Sequence, residues 1–309
     1  MTTPTALPII AVVGATGNQG GSVVDTLLAE GKWAVRALTR NPESDAAKAL
    51  IVRGATVAKV DLDEPATLSS AFAGATAVFA VTNGGDAAGA ARGGPYFEEA
   101  QGKAMVDAAK AAGVKHFIWS TLANVEKVSG GKLVVPVFTA KARVEEYARA
   151  IGLPSTFVYV GIYMSQFKGR FAPTINAATG EAVFSAGFPP NSVADLADTN
   201  RDTGRVVSVA LAKWGTSPVG ARVAVDSEHL TWTQLVETYA QVTGKPAKYV
   251  YTPITDEDVA ATPDAFKQFL DMTRFIGQYG VKGGADKTAE WVDLGVQGTS
   301  WADYIKSQL

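Results

Sequence analysis

The run Gly14-Ala15-Thr16-Gly17-Asn18-Gln19-Gly20 follows the apolar stretch Ile9-Ile10-Ala11-Val12-Val13 and leads directly into an amphipathic segment. A strand that ends in glycines and passes at once into a helix leaves few folds open. Gly14 permits a tight turn, Gly17 lets the backbone approach a ligand with no Cβ in the way, and Gly20 lets helix and strand pack closely. Backbone N–H groups and the positive helix terminus then face one ligand together, and the group they suit is a dinucleotide pyrophosphate.

The rest of the chain continues the strand and helix alternation. Strands are expected at 33–39, 56–60, 75–81, 115–119 and 155–160, separated by helices at 18–30, 43–53, 65–71, 96–112 and 137–151. Such an order implies right-handed crossovers and a parallel sheet covered on both faces, a doubly wound Rossmann α/β fold. Residues 86–95, rich in Gly and Ala, read as a mobile loop near the ligand, and 161–190 as irregular and aromatic. Asp202 is a candidate N-cap for a helix reaching about Trp214, and 222–225 return to the main sheet. A helix over 231–244, a strand over 247–251 and a mostly helical remainder complete the reading. Residues 1–160 thus form the nucleotide-binding domain, completed by about 192–226. A smaller, discontinuous α+β lobe is expected from 161–191 and 227–309.

Composition removes several classes. Formal net charge is −2 with no long Lys or Arg run, so direct nucleic-acid binding is not expected. The chain has no cysteine, which excludes disulfides, thiolate catalysis and cysteine-held metal; a cytoplasmic location is the simplest expectation, with the nucleus also open. Residues 1–7 carry neither a basic n-region nor a long apolar h-region, and no stretch approaches the ~18 apolar residues of a membrane span. His116 and His229 lack metal-ligand spacing, so no metal is expected and both read as structural. Glu145-Glu146 and Asp256-Glu257-Asp258 read as solvated helix faces or termini, the latter suiting a helix N-terminus.

The nucleotide can be narrowed. NAD-specific folds usually carry an acidic residue at the end of the second strand, where this chain has Thr39-Arg40-Asn41. A guanidinium there pairs bidentately with a 2′-phosphate, which makes NADP(H) the expected cofactor; the alternative is a solvated arginine after a strand.

Together, Gly14 through Val23 and Val35-Arg36-Ala37-Leu38-Thr39-Arg40-Asn41-Pro42 resemble the nucleotide-binding signatures of the NmrA-like group of atypical short-chain dehydrogenase/reductase proteins. Val81-Thr82-Asn83, Gln101-Gly102-Lys103, Lys141 with Val144-Glu145-Glu146-Tyr147, Gly152-Leu153-Pro154-Ser155-Thr156, Asp202-Thr203-Gly204 and Thr243-Gly244-Lys245-Pro246 extend the similarity over nearly the whole chain. The resemblance implies that Gly14 through Gln19 and Arg40 hold the phosphates and that Asp61 and Leu62 flank the adenine. It further implies that Val81, Thr82 and Asn83 line the cofactor backbone, that Lys141 approaches the nicotinamide ribose, and that Val160, Gly161, Ile162 and Tyr163 close over the nicotinamide. Family precedent divides between sensors of the NADPH/NADP balance that regulate other proteins and small-molecule reductases.

Short-chain dehydrogenases generally place a Tyr four residues before the Lys, on one helix face. Here that position is Val137, so the usual acid/base is missing. A redox sensor with a regulatory protein partner is one expectation. The alternative is an NADPH-dependent reductase of a small aromatic or quinone-like ligand. For the second, Lys141, Ser120 and Tyr163 are the catalytic candidates. Ser120 matches the family's active-site serine or is a strand-end hydroxyl, and Tyr163 is a proton donor or a core or cleft-lining aromatic; Phe138, Tyr159, Phe167 and Phe171 likewise read as packing or as the apolar wall of a ligand site. Oligomeric state stays open.

Overall fold

The structure, a computed structural model, describes residues 6–215, 220–284, 288–289 and 294–309. Most of the 1–7 stretch and part of the helical remainder therefore lie outside the described residues. Eight strands form one sheet in which every pairing is parallel: β1 (Ile9–Val13), β2 (Ala34–Thr39), β3 (Thr56–Lys59), β4 (Ala77–Ala80), β5 (His116–Thr121), β6 (Ser155–Val160), β11 (Ala221–Val225) and β14 (Thr288–Ala289). Their spatial order is β14-β11-β6-β5-β4-β1-β2-β3. β4, β5 and β6 are buried at every position, as expected of strands with helices on both faces.

Helices α1 (Asn18–Glu30) and α8 (Asp202–Ala212) cover one face through Val23, Val24, Leu27, Val206, Val207 and Leu211. On the other face lie α3 (Ala66–Phe72), α5 (Phe97–Ala111) and α7 (Pro136–Ala150), which bury Leu68, Phe72, Met105, Val106 and Val144. Sheet order runs outward in opposite directions from β1 and β4. Their carboxyl ends therefore flank a topological switch point, where this kind of sheet leaves its crevice.

The lobe is built from shorter pieces. β7 (Ile162–Tyr163), β10 (Val193–Ala197) and β12 (Glu228–Thr231) form one small sheet; β8 (Thr174–Ile175), β9 (Ala182–Ala186) and β13 (Ala247–Tyr251) form another. Helix α9 (Trp232–Thr243) begins in a capping box between Thr231 and Gln234. With α11 (Asp264–Tyr279) and the helix Trp301–Lys306 (α12), it encloses an aromatic core in which Trp232 stacks on Phe188 at 4.3 Å. Asp256 to Asp258 do occupy the first turn of α10 (Asp256–Ala261).

Four local readings are corrected. Residues 86–95 are not a loop: Asp86 accepts hydrogen bonds from the N–H groups of Ala88 and Gly89 and so caps helix α4 (Ala87–Gly93). Residues 161–190 are not irregular, since they hold β7, β8, β9 and a 3₁₀ turn over Met164–Lys168. Asp202 does not cap α8, whose cap position is Arg201; its fully buried carboxylate instead accepts from Thr299 N and Oγ1, both at 3.0 Å, and from Ser227 Oγ at 2.5 Å. Glu145 is not solvated. It is buried between Arg149 and Arg222, each at 2.8 Å, and accepts from the Tyr159 hydroxyl at 3.1 Å.

His116 is structural. Its ring stacks on Trp214 at 4.1 Å, and Nε2 lies 2.8 Å from Thr156 Oγ1. Burial pushes its pKa down to about 4. The unfolded chain takes up this proton near pH 6.5 and the folded chain only near 4, so stability falls as pH drops through that window. The loss is expected to approach roughly 3 kcal/mol. Urea unfolding at pH 7 and pH 4.5 checks it: the decline should be clearly smaller in His116→Asn.

Candidate functional site

A cavity of about 910 Å³ runs from the carboxyl ends of β1 and β4 into the lobe. Its wall includes Gly14, Thr16 to Gly20, Thr39 to Asn41, Asp61, Leu62, Val81 to Asn83, Ser120, Lys141 and Val160 to Tyr163. Ala15 is the one candidate off that wall, being buried in the core beneath the turn. Gly14 has φ +67°, and a Cβ on Gly20 would meet the Gly14 carbonyl oxygen at 2.2 Å, so the turn and the strand–helix approach both demand glycine. No side chain caps α1, whose cap residue is Gly17, and no acidic residue lies in its first turn. That leaves the positive terminus open to an anion, and the phosphate loop fits a dinucleotide on this ground.

Arg40 stands at the end of β2 and pairs with Asp86 at 3.0 Å. Donation from Gly89 N–H, reinforced by the Arg40 charge, holds the Asp86 carboxyl below its ordinary pKa. Asp86 therefore has two tasks, one on α4 and one on Arg40. Position alone did not suggest this, because the two residues are 46 apart in sequence.

Lys141 projects from α7 among buried groups. Its ammonium donates to Glu98, to Thr82 Oγ1 at 2.6 Å and to the Thr82 carbonyl at 3.1 Å. Trp119 Nε1 and Thr121 Oγ1 both bond the Lys141 carbonyl, at 2.9 and 3.3 Å, which fixes the backbone that carries it. Glu98 was not foreseen. It lies in the first turn of α5, is buried, and its second oxygen has no partner among the described residues. These three contacts hold the end of the Lys141 side chain in place against α5 and the segment after β4.

Tyr163 follows β6 by three residues, and its oxygen accepts from Gln19 Nε2 at 2.6 Å. The contact ties the phosphate loop to the inner end of the cavity and leaves the phenolic proton available to another acceptor. Burial raises the Tyr163 pKa; Glu98 adds to this and the Gln19 hydrogen bond opposes it. Ser120 is buried at the end of β5, on the same wall.

Toward the lobe the wall adds the apolar side chains Phe138, Phe171, Phe188, Phe269, Met272 and Ile276, together with Gln166 and, at the rim, Arg170. Phe138 and Phe171 are thus cavity-lining, whereas Phe167 packs on Trp301 at 4.7 Å in the lobe core. The lobe also gathers Asp195, Asp226 and His229, whose ligand-capable atoms lie within 4.8 Å of one another. His229 Nδ1 is bonded to Asp195 at 2.7 Å, where β10 and β12 pair, and Lys282 Nζ to Asp226 at 2.8 Å.

The NmrA-like family model matches residues 8–305. FrzB of Cladobotryum sp., an NmrA-like family domain-containing oxidoreductase, is 43% identical over 144 residues, which span 47% of this chain and 43% of that protein. The oxidoreductase himF of Aspergillus japonicus is 30% identical over 256 residues, covering 79% of this chain and 76% of that one. Among solved structures, the negative transcriptional regulator NmrA in complex with NADP superimposes with a TM-score of 0.79 at 25% identity, covering 96% of this chain and 94% of that chain. The phosphate loop, the switch-point cavity and the near-complete family match converge: the chain belongs to the NmrA-like family.

Proposed function

We propose that this protein binds NADP(H) and acts as an NADPH-dependent reductase of a small aromatic or quinone-like molecule. The observation that carries the reading is the continuity of one cavity from the phosphate loop, past the Tyr163 hydroxyl, into an aromatic compartment in the lobe. The open N-terminus of α1 would hold the pyrophosphate, Arg40 the 2′-phosphate, and Lys141 the inner ribose. Bound NADPH supplies a hydride; a carbonyl or quinone plus that hydride plus one proton gives the alcohol or hydroquinone and NADP⁺. Tyr163 holds a proton where the two compartments meet and donates it to the substrate oxygen. Phe138, Phe171 and Ile276 exclude water and orient a flat ring.

The test follows NADPH absorbance in the presence of 1,4-naphthoquinone, aromatic aldehydes and aromatic enones. Oxidation of the cofactor is expected with at least one class. A protein that binds NADPH tightly and oxidises it with none of them is not this reductase.

A second reading rests on the Arg40–Asp86 pair. A 2′-phosphate competes with Asp86 for Arg40, and Asp86 is also the cap of α4, so cofactor identity is coupled to a surface helix; this supports a nucleotide-sensing role toward a protein partner. Arg40→Ala is expected to weaken NADP binding about tenfold or more while NAD changes by less than about twofold. Asp86→Asn, which releases Arg40, should tighten NADP. Titration calorimetry with both nucleotides checks the pair, and equal losses for NAD and NADP in Arg40→Ala would remove the 2′-phosphate role.

A further inference from the structure

The aromatic compartment has one charged side chain at its rim that the site described so far does not use. Arg170 follows the 3₁₀ turn after β7, and its guanidinium carbon lies 4.8 Å from the centre of the Phe269 ring on α11 and 5.6 Å from that of Phe171. It therefore spans both sides of the mouth. Its one hydrogen bond is a long donation, 3.4 Å, to the Phe269 carbonyl, and no carboxylate pairs with it among the described residues. Partial desolvation beside the rings lowers its pKa from the ordinary arginine value, although the residue stays exposed to solvent. The neighbouring wall, Phe188, Met272 and Ile276, carries no charge. Lys141, the other cation on the cavity wall toward the lobe, is already matched by Glu98.

An arginine that sits over two rings is held there by cation–π attraction, and most of its N–H fork remains to be filled. A flat ligand that enters between Phe171 and Phe269 brings any acidic substituent within reach of that fork. An anion there gains a charge-assisted, bidentate contact that a neutral ring of the same size does not. No acidic side chain is among the described lobe residues that line the cavity.

We infer that Arg170 is a specificity residue for an anionic aromatic ligand, a planar ring system bearing a carboxylate, sulfonate or ionised phenol. The inference rests on the reading of the lobe compartment as the substrate site. Its test uses a matched pair of fluorescent probes on the full chain saturated with NADPH: 1-anilinonaphthalene-8-sulfonate and its uncharged counterpart N-phenyl-1-naphthylamine. The wild type is expected to bind the sulfonate more tightly, and Arg170→Gln to weaken it about tenfold while leaving the neutral probe within about twofold. Arg170 is exposed at the rim, so the variant is expected to fold. Equal effects on both probes, or no effect on either, overturn the inference. NADPH oxidation by neutral 1,4-naphthoquinone separates it from the reductase reading. Turnover without charge discrimination overturns the role of Arg170 alone, whereas charge discrimination at Arg170 without turnover on any substrate overturns the reductase alone.

Discussion

Lys141→Ala is expected to destabilise the protein by about 3–5 kcal/mol, more than loss of a surface lysine could. Glu98 is 1% exposed, and Lys141 is its ion-pair partner. Removing the ammonium leaves a carboxylate in the interior between α5 and α7, with one oxygen already unpartnered and the other newly so. Thr82 loses a donor as well, at both its hydroxyl and its carbonyl. The cost is therefore that of an uncompensated buried charge rather than that of the pair itself. Removing both charged groups should then restore most of the loss, because well-packed apolar replacements of a buried pair are often neutral. Urea unfolding of Lys141→Ala and of Lys141→Met/Glu98→Leu distinguishes the two cases. A single variant within about 1 kcal/mol of wild type would show that Glu98 finds another partner. Cofactor binding in the double variant then reports the functional share of Lys141 free of the stability defect.

The same residue shows what sequence patterns carry and what they do not. The βα alternation is legible because strands covered on both faces, such as Ile9–Val13 and Ala77–Ala80, are continuous apolar runs bounded by turn residues. The phosphate loop is legible because its glycines act on their own neighbours in the chain. Lys141 itself is visible on a helix pattern. Its partner Glu98 is not, because 43 residues separate them and the contact exists only once α5 and α7 pack side by side. Arg40 and Asp86 meet across the switch point in the same way, and Asp86 was concealed further by a Gly- and Ala-rich segment that its own cap turns into a helix. β7 and β8 are two residues each, too short for a period of two to register. Glu145 reads as solvated because two adjacent glutamates usually are, and the arrival of Arg222 from β11 and Tyr159 from β6 adds to Arg149 of its own helix in making its burial tolerable.

Tyr163→Phe is expected to lower kcat by about 10²- to 10⁴-fold on a carbonyl substrate, the range for loss of a positioned proton donor. NADPH affinity and KM should change little, since the ring and its packing remain. Val137 occupies the position from which a short-chain dehydrogenase tyrosine would act; under the proposed reaction Tyr163 would act from β7 instead, its oxygen held by Gln19 of the phosphate loop. The direction of its pKa shift matters for the chemistry. A phenol whose pKa is raised by burial keeps its proton at neutral and mildly alkaline pH, so it suits donation and not abstraction. Reduction should accordingly be favoured over alcohol oxidation, which needs the phenolate as base. Across an alkaline pH series the wild-type reduction rate should show no loss attributable to this group below its ordinary pKa of about 10. Gln19→Leu, which removes the hydrogen bond but not the hydroxyl, should cost less than Tyr163→Phe. A Tyr163→Phe variant that retains kcat within about threefold would mean that the proton comes from solvent, and the hydroxyl would then be a cavity-lining group and not a catalytic residue.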